Sequence, residues 1–156
     1  MATEHTDSPG GLPSESPRPT QGLHLQPLPP CSDPAFPVLH EYFEVVYGPL
    51  IGPASLFLAR SLVRHVTVAG GPVMVCPVEL ALQLGLRASH DEPIGRTSHL
   101  GRAIDRLAHH RLVTSNGTDA LGVVMQVPPV TEHVLRRLPV PARVGHEHFV
   151  ARLVQE

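Results

Sequence analysis

The sequence predicts a mostly helical domain of the α+β class that carries one small β-hairpin. Apolar residues recur at helical spacing in three separate segments between about residues 53 and 111. The dipeptide Asn116-Gly117, a strong hairpin signal, follows the third of these segments. The chain has 156 residues and is 42% hydrophobic, which is enough for one domain with its own core.

The N-terminal part of the chain is predicted to lie outside that domain. Nine of the 18 prolines fall within the first 37 residues, among serine, glycine and threonine. A segment of this composition buries too little apolar surface to offset the entropy lost on ordering. We therefore predict a disordered, proline-rich tail over residues 1–37 and a domain with flanking helices over residues 38–156.

The first predicted elements of the domain are rich in aromatic residues. Residues 40–47 suit a short helix or a strand, and five of the six aromatic residues lie between Phe36 and Phe57. Such a cluster indicates packing against the domain or a seam between two copies. A helix then runs from about Pro53 to Val66, because proline is tolerated in the first turn of a helix. Its expected inward stripe is Ala54, Phe57, Leu58, Ser61, Leu62 and His65.

The middle of the chain predicts a strand and two further helices. Val73–Cys76 is a short β-branched strand, and a second helix over Val78–Leu84 ends at Gly85. A polar loop over residues 88–96 follows. Thr97 or Ser98 caps a third helix that runs to about Arg111. Its inward stripe is Leu100, Ala103, Ile104, Leu107 and Ala108.

The remaining elements are the hairpin and two helices. Residues 112–114 and Leu121–Val127 are the two hairpin strands, and Pro128-Pro129 ends the second strand. Thr131 caps a short helix to Leu138. His146–Val154 forms a last helix that docks back on the domain.

This element order resembles the winged helix-turn-helix of bacterial DNA-binding regulators. The residues that carry the resemblance are CPVELALQLGL at 76–86, LGRAIDRL at 100–107 and HHRLV at 109–113. It covers about residues 50–130, with residues 112–127 as the wing. A looser resemblance is to actinobacterial proteins in which a tyrosine-rich segment precedes such a motif. The loop between the second and third helices has about ten residues, more than the short turn of the simplest motif.

The resemblance implies that residues 97–111 form a recognition helix for double-stranded DNA. Its N-terminal residues would face base edges, and Arg102 could read guanine through two hydrogen bonds. Other arginines would contact phosphates, and the wing tip would reach the DNA backbone. The alternative is a polar helix face that is only solvated. The candidate DNA-binding residues are Arg96, Thr97, Ser98, His99, Arg102, Arg106, His109, Arg111 and Asn116.

Charge supports a local rather than a global anion-binding surface. Residues 50–115 carry seven arginines and four acidic residues, although the whole chain has a net charge of −2. We expect a transcriptional regulator that binds as a homodimer, because two half-sites increase affinity and specificity. Its seam would use residues 42–57 and the C-terminal helix. The net charge and Asp105 keep open the alternative of a winged-helix interaction module that binds a protein and no DNA.

Other chemistry has little support in the sequence. There is no Gly-x-Ser-x-Gly motif, phosphate-binding glycine loop or dinucleotide fingerprint, so we predict neither an enzyme nor a cofactor. The 11 histidines lack metal-ligand spacing, and we predict no metal site, although Cys76, His65 and the C-terminal histidines could meet in space. Two cysteines, no signal peptide and no long apolar run predict a cytoplasmic protein without membrane contact.

Overall fold

The structure, a computed structural model, describes residues 22–31, 33–117 and 119–155. These residues form a mixed α/β domain, in agreement with the predicted α+β class. Its elements are, in chain order, β1 Leu23–Pro27, β2 Phe36–Pro37, a π-helical segment Phe43–Tyr47, α1 Gly48–Ile51, α2 Pro53–Ala69, β3 Val73–Val75, α3 Pro77–Gln83, α4 His99–His109, β4 Val113–Ser115, β5 Ala120–Val123, β6 Gln126–Val127, α5 Glu132–Leu135 and α6 Val140–Leu153.

A four-stranded sheet in the order β3-β1-β5-β4 lies at the centre of the domain. Strand β1 is antiparallel to β3, with Leu25 opposite Val73, and parallel to β5, with Leu25 opposite Leu121. Strand β4 is antiparallel to β5, and β2 and β6 form a separate pair. Strand β1, the first strand among the described residues, is therefore an internal strand of the sheet.

Strand β1 corrects the predicted boundary of the domain. Residues 22–37 were expected to belong to a disordered tail, but Leu23 and Leu25 are each 1% exposed while His24 and Gln26 face outward. Because side chains alternate between the two faces of a strand, this pattern places both leucines in the core. The segment is ordered because β1 pairs with β3 and β5, although its local composition does not favour order. Residues 1–21 lie outside the described residues, so the prediction for them stays a prediction.

The aromatic cluster packs within the chain. The ring of Tyr42 stacks on Phe36 with centroids 3.8 Å apart, and Phe149 of α6 meets both rings edge-on. Tyr42 and Phe43 are fully buried, and Ile51 is 1% exposed. The side chains of Tyr42, Phe43 and Ile51 are therefore already covered by their own chain, and a dimer seam over residues 42–57 stays a prediction that would depend on exposed residues such as Phe57. The segment before α1 is helical, which decides between the helix and the strand left open above.

Helix α2 begins at Pro53 as predicted and runs to Ala69, beyond Val66. Its inward face differs from the expected stripe, since Ala54 is exposed and Phe57 is 61% exposed. The sheet packs on the side of α2 next to the expected stripe. Both this side and the expected stripe carry enough apolar residues to be buried, so the sequence alone does not decide between them. The buried residues of α2 are Ser55, Leu56, Leu58, Ala59, Leu62, Val63 and Val66.

The elements from β3 to the hairpin follow the sequence prediction closely. Gly85 has a φ of 67° just after α3, and Ser98 caps α4 through a bond from the Gly101 N–H. The predicted inward stripe of α4 is buried except for Ala108, which is exposed. The return strand β5 ends at Val123 rather than Val127, because Gln126 and Val127 pair with β2 instead.

The C-terminal helix is longer than expected. Helix α6 begins at Val140 rather than His146, because Pro141 fits the first helical turn. Helix α6 packs on the π-helical segment, where Gly145 lies so close that a Cβ would meet Val45 Cγ1 at 2.6 Å. The short helix α5 follows Thr131, whose side chain makes no capping bond. Among the described residues, none of the helices has the length and apolar character to cross a bilayer.

Candidate nucleic-acid interface

Helix α4 has one buried face and one exposed polar face. Its buried side packs on α2, where the Ser55 hydroxyl donates to the Ala103 carbonyl oxygen at 3.4 Å. The exposed side chains recur every three or four residues, so they form one row along the helix. We call this row the basic row of α4; its members are His99, Arg102, Arg106 and His109.

The start of α4 is fixed by a compact set of hydrogen bonds. The Ser98 Oγ accepts from the Gly101 N–H at 2.9 Å and donates to the Gly95 carbonyl oxygen at 2.8 Å. A Cβ at Gly101 would lie 2.8 Å from the carbonyl oxygen of Ile94, so the preceding loop lies directly on the helix. Because its hydroxyl is engaged in this cap, Ser98 positions the helix. Arg96 and Thr97, just before it, are exposed.

The two arginines of the basic row donate hydrogen bonds to carbonyl oxygens but form no ion pair with the described residues. Arg102 Nη2 donates to the Thr97 carbonyl oxygen, and Arg106 Nη2 to the Leu50 carbonyl oxygen, both at 3.4 Å. The ion pairs formed by the described residues are Arg60–Glu44 and Arg136–Glu132, and neither involves α4. The guanidinium groups therefore face solvent without a carboxylate, although Asp105 is exposed on the same helix.

Two adjacent histidines close the C-terminal end of α4. The imidazole rings of His109 and His110 are 5.2 Å apart and nearly perpendicular. Burial lowers the pKa of His110, and the neighbouring His109 and Arg106 lower it further. His110 is therefore neutral at pH 7, while His109 is exposed at the end of the basic row.

Arg111 terminates α4 with an unusual backbone conformation. Its φ is 58°, and it is the one residue other than glycine with a positive φ in the described part of the chain. The Leu112 N–H bonds the Leu107 carbonyl at 2.9 Å, and the Arg111 N–H bonds the Ala108 carbonyl at 3.0 Å. These two bonds form a Schellman motif, which most often has glycine at the position of Arg111. The turn directs the exposed Arg111 away from the helical row.

The β4–β5 hairpin follows this turn and presents Asn116 near its tip. The Asn116 N–H donates to the Ala120 carbonyl oxygen at 2.9 Å, and the Ser115 hydroxyl donates to the Gly117 carbonyl oxygen at 2.9 Å. Gly117 has a φ of 109°, which a glycine adopts without strain. The Asn116 side chain is exposed.

The structure thus gathers most of the predicted residues in one region. Arg96 and Thr97 precede the basic row of α4, and Arg111 lies just beyond it. Asn116 lies separately, on the hairpin. Within the described ranges, no group of three or more histidine, cysteine or acidic side chains is arranged to hold a metal ion. Comparison of the chain with protein-family models, curated proteins and solved structures finds no match.

One polar pair was not predicted from the sequence. The Tyr42 hydroxyl lies 2.9 Å from His146 Nδ1 and accepts from the Val130 N–H at 3.0 Å. This pair links α6 to the buried aromatic cluster. No local signal predicts it, because the two side chains are far apart in the sequence and meet only through tertiary packing.

Proposed function

We propose that this protein binds double-stranded DNA and acts as a transcriptional regulator, with α4 as its recognition helix. The basic row of α4 is the observation that carries the proposal. It lies on the exposed side of an 11-residue helix and forms no ion pair within the described residues. An α-helix fits the major groove, and phosphates on both sides attract such a row of charge.

The element order supports a winged helix as the fold of this domain. The order α2–β3–α3–α4–β4–β5 gives a helix, a strand, two helices and a hairpin. In such a fold α4 enters the major groove, and the hairpin is the wing. Strand β1, which lies between β3 and β5, is an addition to this plan that widens the sheet.

In this proposal, some exposed residues contact base edges and others contact phosphates. Arg102 lies in the first turn of α4, where two of its guanidinium nitrogens could bond O6 and N7 of guanine. Thr97 and His99 precede it. Arg96, Arg106 and Arg111 would contact phosphates, which set affinity and register. Ser98 holds the helix N-terminus in place, and Asn116 would reach the DNA backbone from the hairpin.

A homodimer would place two recognition helices on two half-sites, about 34–36 Å apart. The buried aromatic residues cannot form its seam. Val140 and Val144 of α6 are 60% and 59% exposed and one turn apart, which favours the C-terminal helix as the contact between copies.

A salt-dependent gel shift with fragmented genomic DNA from the source organism tests the proposal. We expect retention that falls steeply as salt rises and that survives on a few fragments. Replacing Arg102 and Arg106 together by alanine should abolish retention. The matched control replaces Arg64 and Arg137, two exposed arginines outside α4 and α6, and should retain binding. No retention by the wild type even at low salt would refute DNA binding.

An interaction module that binds a protein through α4 is the second candidate. The net charge of −2 and the exposed Asp105 favour it, because both weaken attraction to phosphates. The gel shift separates the two candidates, since only the first requires DNA retention that depends on Arg102 and Arg106.

A further inference from the structure

Four exposed apolar side chains lie on α2, β3 and α3, and two of them, Phe57 and Val68, line one groove. Seven large apolar side chains are exposed among the described residues, and four of them surround α2, β3 and α3. Phe57 and Leu82 are each 61% exposed, Met74 is 57% exposed and Val68 is 88% exposed. Clustered apolar exposure of this kind marks surfaces that bind other molecules.

An open groove of about 800 Å³ lies between α2 and α3 within this region. Its α2 wall is a stripe along the helix, about 16 Å long at 1.5 Å per residue, made of Phe57, Ser61, Arg64 and Val68. Leu84 and Val73 line it from the other side. His65 Nε2 and Gln83 Oε1 lie 3.4 Å apart and join the two helices.

Arg64 gives the groove an uncompensated positive charge. Its side chain is exposed, and it takes part in neither of the ion pairs formed by the described residues. The preceding Arg60 is different, since its guanidinium group lies 2.9 Å from Glu44 Oε2 and also bonds the Leu39 carbonyl oxygen. None of the described residues that line the groove is acidic, and five of the nine are apolar. The groove is therefore mostly apolar, and Arg64 near its middle forms no ion pair with the described part of the chain.

Charge and shape select among the possible occupants. Two copies of α2 packed antiparallel about the middle of this stripe would place both Arg64 side chains, neither of them ion-paired, in the same interface, and like charges oppose such contact. A small ligand buries most of its surface in its pocket, which an open groove does not allow. A helix laid in a groove buries only one face and leaves the other in water.

We infer that this groove binds an amphipathic helix of a partner protein, whose apolar face covers Phe57 and Val68 and whose carboxylate pairs with Arg64. The apolar residues of that helix would recur every three or four positions, and one acidic residue would lie at the edge of its apolar face. The inference goes beyond the proposed DNA binding. It uses no residue of the basic row, so either can fail without the other.

A selection from a phage-displayed library of helical peptides of about 14 residues, made on the full chain, tests this inference. We expect acidic amphipathic peptides to be enriched. In fluorescence polarisation, Val68→Asp and Arg64→Glu should each lower the affinity of such a peptide at least tenfold. Val154→Asp, a change at an exposed valine just after α6, should leave it unchanged. A peptide with lysine in place of its acidic residue should regain affinity for the Arg64→Glu variant.

Several outcomes would overturn the inference. These are a selection that enriches no acidic amphipathic peptide, an affinity unchanged by both groove substitutions, and a lysine peptide that fails to recover binding. Sedimentation that shows a dimer abolished by Val68→Asp would identify a second copy as the occupant instead. Circular dichroism melting checks that both variants stay folded, which is expected because both side chains are exposed.

Discussion

At the scale of single residues, Arg111 combines an unfavourable backbone conformation with a candidate role in DNA binding. Its left-handed conformation costs a residue with a Cβ roughly 1–2 kcal/mol relative to a right-handed one, and the Schellman bonds at the end of α4 require it. The sequence predicts the end of the helix near Arg111. It does not predict this backbone conformation, because glycine or asparagine, the usual signals, are absent here. Strain of this kind is often retained where the side chain has a task.

Replacing Arg111 by glycine should therefore separate stability from binding. Because glycine adopts a positive φ freely, we expect Arg111→Gly to raise the free energy of unfolding by about 0.5–1 kcal/mol in urea denaturation. The same change removes a charge that we propose contacts a phosphate, and should weaken DNA retention. Arg111→Lys keeps both the strain and the charge, and should match the wild type in both measurements. A destabilised Arg111→Gly variant would contradict this account.

At the scale of elements, α4 is the part that the sequence predicts best, because its signals are local. Ser98 caps the helix, and Leu100, Ala103, Ile104 and Leu107 define its buried side over about two turns. The inward face of α2 is less predictable, since both of its candidate stripes are apolar and only the sheet decides between them. The basic row follows directly from α4, whereas the groove beside Phe57 depends on the orientation of α2.

The docking of α6 should depend on pH through His146. The Tyr42 oxygen accepts from the Val130 N–H, and in the neutral His146 tautomer with its proton on Nε2 the Tyr42 hydroxyl donates to Nδ1. Burial lowers the pKa of His146, and Glu147 and Glu132 oppose this in part. The unfolded chain therefore binds a proton at a higher pH than the folded chain does. The free energy of unfolding should then fall as the pH is lowered from 7.5 through 6.5 to 5.5.

Urea denaturation at pH 7.5 and 5.5 measures this dependence. His146→Gln keeps a hydrogen-bond acceptor but does not titrate, so the loss of stability at pH 5.5 should be smaller than in the wild type. His110, whose pKa is also lowered, still contributes in the same direction. His148→Gln, a change at an exposed position of the same helix, is the control. A His146→Gln variant with the pH dependence of the wild type would remove His146 from this role.

At the scale of the whole molecule, strand β1 pairs with both β3 and β5 and so joins the N-terminal part of the described chain to the middle of the domain. Local sequence signals do not predict this pairing. The elements from α2 to the hairpin follow from capping residues, turns and apolar spacing. The order of the sheet does not, because β1 has only two buried leucines, beside the polar His24 and Gln26, and ends at Pro27. Strand β3 pairs with β1 on one side. On the β5 side, the His24 N–H bonds the Asp119 carbonyl at 2.7 Å and the Leu28 N–H bonds the Val123 carbonyl at 2.9 Å.

Leu25→Ala measures how far the domain depends on this strand. Leu25 is 1% exposed, and removing a fully buried leucine side chain costs about 2–5 kcal/mol. A flexible tail would give a change within about 0.5 kcal/mol. Because β1 pairs with β5, hydrogen exchange should also become faster at the amides of the β4–β5 hairpin, which would carry the wing contact to DNA. Gln26→Ala, at an exposed position of the same strand, should leave both measurements near the wild type. Equal values for the two variants would mean that the core of the domain forms without β1.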